Sequence, residues 1–199
     1  MKSTNLFLSS AITATLLAGA ALAQTAAPPV THGAAIPGVC ILSVNQAITT
    51  STVGKYVSER MNQIVAQVKA ELTPEDTAIA TDGRALEAQR TTLDAATFQT
   101  RAQALQTRVN ALRQKADLRQ REVQATEQKS LNRIAQELDP IARQLYQQHR
   151  CSMLVNKDAV MIANPEMDLT TQAVASLNAR IQQFAFDREH LDTAQPTAR

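Results

Sequence analysis

Residues 98–116 read FQTRAQALQTRVNALRQKA, with apolar positions at Phe98, Ala102, Leu105, Val109, Leu112 and Ala116. The intervals alternate four and three, which is the spacing of a helix face packed along a second helix. After Val123 the pattern takes an eleven-residue step to Ile134 and continues through Leu138, Ile141 and Leu145. Such a step relaxes a left-handed supercoil where a helix exchanges one partner for another. One helix is therefore expected over residues 97–149.

Upstream, Val65, Leu72, Ile79, Leu86 and Leu93 recur every seven residues. Their companion line, Met61, Val68, Glu75, Asp82 and Gln89, is apolar only at its start. This predicts a second helix over residues 53–92, antiparallel to the first, with the turn near Asp94. Residues 73–76 (TPED) look like a helix restart, Thr73 capping and Pro74 opening the next segment, or like a mere kink at the proline; either allows the arm to bend there. Pro140 predicts a bend or restart close to the base of the returning helix. At ~1.5 Å per residue the two helices would be about 60 and 80 Å long, too long to wrap around one small core, so they should project as an arm.

The ends have different chemistry. Val39–Val44 is β-branched and aliphatic between Pro37-Gly38 and Asn45-Gln46, and reads as a buried strand. Ser51 or Thr52 is placed to cap the outgoing helix. Residues 151–155 (CSMLV) and 159–163 (AVMIA), with Asn156-Lys157-Asp158 between them, read as a β-hairpin. Residues 168–184 carry Val174, Leu177, Ile181 and Phe184 at helical spacing behind Asp168 or Thr170 as cap. The fold class is thus α+β, mainly α. A small β body of residues 38–52 and 150–184 would carry a coiled-coil arm of residues 53–149.

Residues 1–23 have the parts of a cleaved secretory signal: Lys2, an apolar run from Leu6 to Leu22, and small residues at Ala21 and Ala23. Residues 24–37 hold three of the seven prolines and read as a disordered leader; residues 185–199 read as a loose tail. Export would place the two cysteines, Cys40 and Cys151, in an oxidising compartment, the periplasm. They fit a single staple between the chain ends or two buried free thiols, and the staple is the expectation.

Aromatic residues make up 3% of the chain and tryptophan is absent, which argues against a large compact core. Residues 101–150 hold ten Lys or Arg against five acids, a balance of +5, while residues 151–199 balance to −2. Arg101, Arg108, Arg113, Lys115, Arg119 and Arg121 are therefore the candidate residues for anionic partners, either client segments or an anionic membrane surface. A solvated helix face explains the same charges without a partner. His32, His149 and His190 are far apart with no companions at metal-ligand spacing, and no nucleophile motif, phosphate loop or CxxC is present. Neither an enzyme nor a cofactor or metal site is expected. Nucleic-acid binding is disfavoured by export and by the shortage of rings for stacking.

The order strand, long helical hairpin, strand pair and helix resembles the Skp-like (OmpH-family) chaperones. The residues that carry the resemblance are Cys40–Asn45, Val53-Gly54-Lys55, Leu154–Val160, Asn164-Pro165 and Asp168-Leu169-Thr170. It implies a jellyfish-like homotrimer whose strands form the body, with three arms enclosing a cavity for unfolded outer-membrane proteins. Self-association also follows from physics, because two or three short strands and one helix bury little on their own. The function expected is an ATP-independent holdase. The alternative is a structural coiled-coil adaptor of an envelope assembly, which would carry larger flanking β domains in place of the C-terminal strand and helix unit.

Overall fold

The computed structural model describes residues 30–191. The signal segment, the first half of the leader and the end of the tail lie outside these residues.

Strand β1 (Val39–Leu42) is followed at once by helix α1 (Val44–Thr50). Ser43 ends the strand by capping the helix, its Oγ accepting from Gln46 N at 3.1 Å, so the strand is shorter than expected and Val44 is helical. Ser51 then joins α1 to α2 (Thr52–Ala88), its Oγ donating to Ile48 O at 2.7 Å and accepting from Gly54 N at 3.1 Å. The corner is tight enough to demand glycine: a Cβ on Gly54 would lie 1.8 Å from Ile48 O.

Helix α2 runs unbroken through Pro74, correcting the expected restart. Thr73 Oγ1 donates back to Lys69 O at 2.7 Å instead of capping a new helix. Pro74 is exposed, so water can take the carbonyl of Ala70 that proline leaves unpaired. After a short turn, Asp94 Oδ1 accepts from Thr97 N at 3.0 Å and starts α3 (Ala95–Gln148). This bond, foremost, holds the Asp94 carboxyl below its usual range. Helix α3 also continues through Pro140, where an Asp139–Arg143 pair at 2.8 Å spans the proline.

Helix α3 ends in a Schellman motif with Arg150 at φ 51°, Cys151 N donating to Tyr146 O and Arg150 N to Gln147 O. Strand β2 (Met153–Asn156) follows and pairs with β1 in parallel, Val39 opposite Met153 and Leu42 opposite Asn156. This corrects the expected hairpin: residues 159–163 form no strand. Asn156 Oδ1 accepts from Asp158 N, turning the chain into a 3-10 segment (Lys157–Ala159), and Lys157 ties to Asp168 at 2.6 Å. The whole arm is therefore the crossover between two parallel strands. Cys40 and Cys151 are bridged, Cα to Cα 5.8 Å.

Asp168 Oδ1 caps α4 (Thr170–Arg180), accepting from Thr170 N at 2.8 Å. The helix is shorter than the sequence suggests, because Ile181 is already extended, and Phe184 lies beyond it. Residues 33–37 are tied down rather than loose: Asn164 Nδ2 donates to Gly33 O at 2.9 Å and Val39 N to Ile36 O at 3.1 Å.

The core gathers where the arm meets the body, from Cys40, Leu42, Ala47, Val53 and Val57 to Ile134, Leu138, Ile141, Leu145, Ala173 and Leu177. Burying apolar area here contributes about 25 cal/mol per Å², and little of it lies further out. Ile64 is fully buried on α2, while Val65, assigned inward from the seven-residue spacing, is 50% exposed. Beyond Ile64 the interface thins: Leu72, Ile79 and Leu86, facing the return line Phe98, Leu105, Val109 and Leu112, are only half-buried.

Candidate functional site

The arm carries most of the expected site residues, and the two helices bring half of them into internal ion pairs. Arg108 reaches across to Glu75 at 3.0 Å and Asp82 at 2.5 Å. Lys115 lies 3.0 Å from Glu71, and Arg119 lies 2.8 Å from Glu71 and 3.0 Å from Glu122. These three residues brace the hairpin through ion pairs, Arg119 half-buried and the side chains of Arg108 and Lys115 still exposed at 40% and 43%. Part of the reason is the companion line of α2, where Glu75 and Asp82 stand at positions at which a full coiled coil would carry apolar side chains; Glu71 lies off that line. Arg101 donates to Gln89 Oε1 at 2.9 Å near the turn. Arg113 and Arg121 are exposed and have no ion-pair partner among the described residues.

A second feature is the path of the chain after α4. Residues expected to be a loose tail lie along the arm as far as Leu191. Phe186 meets Tyr56 edge-on at 6.5 Å between centroids and lies 5.4 Å from Phe184. Asp187 pairs with Arg60, and Glu189 with Lys129 at 2.7 Å. Arg188 enters the carboxylate pair of the two helices, Nη1 at 3.0 Å from Glu71 and Nε at 3.2 Å from Glu122. The Glu189 amide donates to Thr126 Oγ1 at 2.8 Å and the Leu191 amide to Glu122 Oε1 at 3.2 Å. Between this strap and α3 lies an open groove of about 920 Å³ lined by Ser130, Arg133, Gln136, Phe184 and Phe186 among others.

Beneath the strap α3 presents Glu122, Thr126 and Ser130, all buried, with Ile134 next. Arg119 chiefly holds the Glu71 carboxyl far below its usual range; partial burial opposes it, and Lys115 and Arg188 add to the lowering. The sequence contained one sign of this layer. The eleven-residue gap between Val123 and Ile134 falls where the inward positions are Thr126 and Ser130, so the apolar pattern lapses because the buried face there is polar. Arg60, Glu71, Glu122 and Arg188, all missed in the sequence reading, leave no local pattern.

Among the described residues no cluster of His, Cys, Asp or Glu is arranged to hold a metal ion, and no helix is long and apolar enough to cross a membrane. His149 contacts Gln172 Oε1 through Nε2 at 2.8 Å.

A long paired-helix arm on a stapled strand and helix body defines a class of arm-bearing α+β protein. The family model for outer membrane protein (OmpH-like) matches residues 38–177, and the chain belongs to that family. It is similar to the crystal structure of a candidate outer membrane chaperone (OmpH-like) from Caulobacter crescentus CB15, at 48% identity and a TM-score of 0.74. The match covers 83% of this chain and 98% of that one. Among curated proteins none matches this chain. Membership of this family supports a chaperone role.

Proposed function

We propose that this protein is a periplasmic, ATP-independent holdase that keeps unfolded outer-membrane proteins from aggregating in a cavity between helical arms. The observation that carries the reading is the arm itself: two helices of 37 and 54 residues paired through a half-buried, charge-braced interface. Such a surface offers many weak contacts and no deep pocket, which suits clients that differ in sequence and stay extended. Export is supported by the signal-like residues 1–23 and agrees with the bridge between Cys40 and Cys151.

The working assembly is a homotrimer built through the body. A two-stranded sheet leaves strand edges unpaired, and Met153, Met161 and Ile162 are exposed at 57%, 101% and 67% beside it. Neighbouring copies would cover both. Arg113 and Arg121 remain as the cations most available to an anionic client or membrane surface. The compact C-terminal strand and helix favours this reading over a structural adaptor.

The test is light scattering of an urea-unfolded porin diluted into buffer with and without this protein. Suppressed aggregation at stoichiometric trimer is expected; unchanged aggregation in excess protein refutes the holdase. Sedimentation equilibrium checks assembly, and a folded monomer at micromolar concentration removes the trimer.

A further inference from the structure

The strap formed by residues 184–191 has features of a bound ligand rather than of a structural element. It forms no helix or strand, yet hydrogen bonds and ion pairs hold it along the arm. Its burial alternates: Phe184, Phe186 and Arg188 are half-buried while Ala185 and Asp187 are exposed. That is the two-residue period of a strand with one face against a surface. Three of its bonds use main-chain groups, namely Phe186 O with Arg60 Nε at 3.4 Å, Glu189 N with Thr126 Oγ1, and Leu191 N with Glu122 Oε1. Main-chain bonds of this kind do not depend on the side chains of the strand that accepts or donates them.

The floor is also unlike a permanent interface. A surface always covered is served best by apolar residues, because burying a carboxylate and two hydroxyls costs free energy that pairing only partly returns. Here Glu122, Thr126 and Ser130 occupy the buried positions. Such a floor remains well hydrated when uncovered. Arg188 Nε lies 3.2 Å from Glu122 Oε2 as an ion pair without hydrogen-bond alignment.

We infer that the face of α2 and α3 around Glu71, Glu122 and Thr126 is a binding site for an extended polypeptide, covered in the resting protein by the chain's own residues 184–191. The partner that displaces them is a client segment with aromatic side chains at alternate positions followed by a cation, the pattern Phe184, Phe186, Arg188 supplies in cis. Phe-type rings occupy the space beside Tyr56, and the cation enters between the two carboxylates. The strap is thus an internal competitor that lowers the apparent affinity of the site by the fraction of time it is closed. The inference rests on the client-binding reading above.

The experiment uses the intact chain carrying F186S and R188E, which removes one ring and sets a third carboxylate against Glu71 and Glu122. A fluorescein-labelled peptide of residues 182–191 is the probe, read by anisotropy, with circular dichroism confirming the helices. The variant should bind the peptide about tenfold more tightly than the unaltered protein, and unfolded porin should displace it. If the double variant loses its helices, R188Q alone should give a smaller shift in the same direction. Equal peptide affinity in variant and unaltered protein, or bound peptide that porin does not displace, overturns the inference while leaving the holdase standing. Porin held by neither protein overturns the holdase reading, and the inference with it.

Discussion

Opening the bridge between Cys40 and Cys151 should cost this protein a large share of its stability. The bridge spans a sequence separation of 111 residues, which includes the whole arm. Loop-closure entropy for a ring of that size is worth about 4.8 kcal/mol at 25 °C, because an open denatured chain has far more conformations to lose. Total stabilities of ordinary domains are about 5–15 kcal/mol, so the staple is decisive where the core is as small as this one. Both cysteines are buried, and a buried thiol behaves as a small apolar group, so the loss on reduction is chiefly that of the covalent constraint. The assay is urea unfolding of the oxidised protein, of the same protein in dithiothreitol, and of the double variant C40A/C151A. The midpoint should fall in both unbridged forms, and the m-value should rise, because the unbridged chain exposes more surface on unfolding. A loss below about 1 kcal/mol would refute the argument. It would mean that the arm keeps its helical pairing after the body unfolds, so that the denatured loop is already short.

Gly54→Ala should be severely destabilising, by more than about 3 kcal/mol, since a methyl group 1.8 Å from Ile48 O forces α1 and α2 apart and breaks the Ser51 cap; thermal melts followed by ellipticity give the value. Arg150→Gly should be neutral or stabilising by up to about 1 kcal/mol, because φ 51° at the end of α3 strains any residue with a Cβ; a clear loss would show that the Arg150 side chain matters more than its backbone. Glu71, held below its usual range first by Arg119, stabilises the folded state fully above the ordinary glutamate value of about 4.3, and this contribution fades as pH falls below it. Melting temperatures should therefore drop between pH 6 and pH 3, and Glu71→Gln should be less stable at pH 6 with a flatter acid limb.

Local signals in the sequence account for much of this fold. The two helices were legible from apolar spacing, and the turn from Asp94, whose carboxylate does cap α3. The paired cysteines were legible as one of two alternatives. What failed did so for identifiable reasons. Ile64 and Val65 are adjacent and equally apolar, so a repeat of seven could not choose between them, and the buried one is Ile64. Pro74 carries a restart signature, yet it sits on an exposed face where an unpaired carbonyl is cheap. The apolar run at residues 159–163 has strand composition but no strand partner, because β2 pairs with β1 across the entire arm. Pairings between distant positions, such as Glu71 with Arg188 at a separation of 117, leave nothing periodic to read. The strap segment therefore reads in sequence as a loose tail.

The arm should not be uniformly stable along its length. Near the body its helices share fully buried Ile64 and Ile134, whereas from Leu72 outward no apolar position on either helix is fully buried. There the pairing rests on half-buried Leu, Ile and Val and on Arg108 with its two carboxylates. Exposed ion pairs contribute little and weaken with salt. The boundary between the two regimes is the layer of Glu71, Arg119 and Glu122, which is also where Arg188 is bound. Amides of the outer arm should exchange with solvent through local opening, and those between Val57 and Ile64 only through much rarer, more extensive unfolding. Added salt should widen that difference by loosening the outer arm while the dry base is unaffected. Uniform protection along both helices in hydrogen-exchange measurements would contradict this division, and would mean that the half-buried seam holds the arm as firmly as the core holds its base.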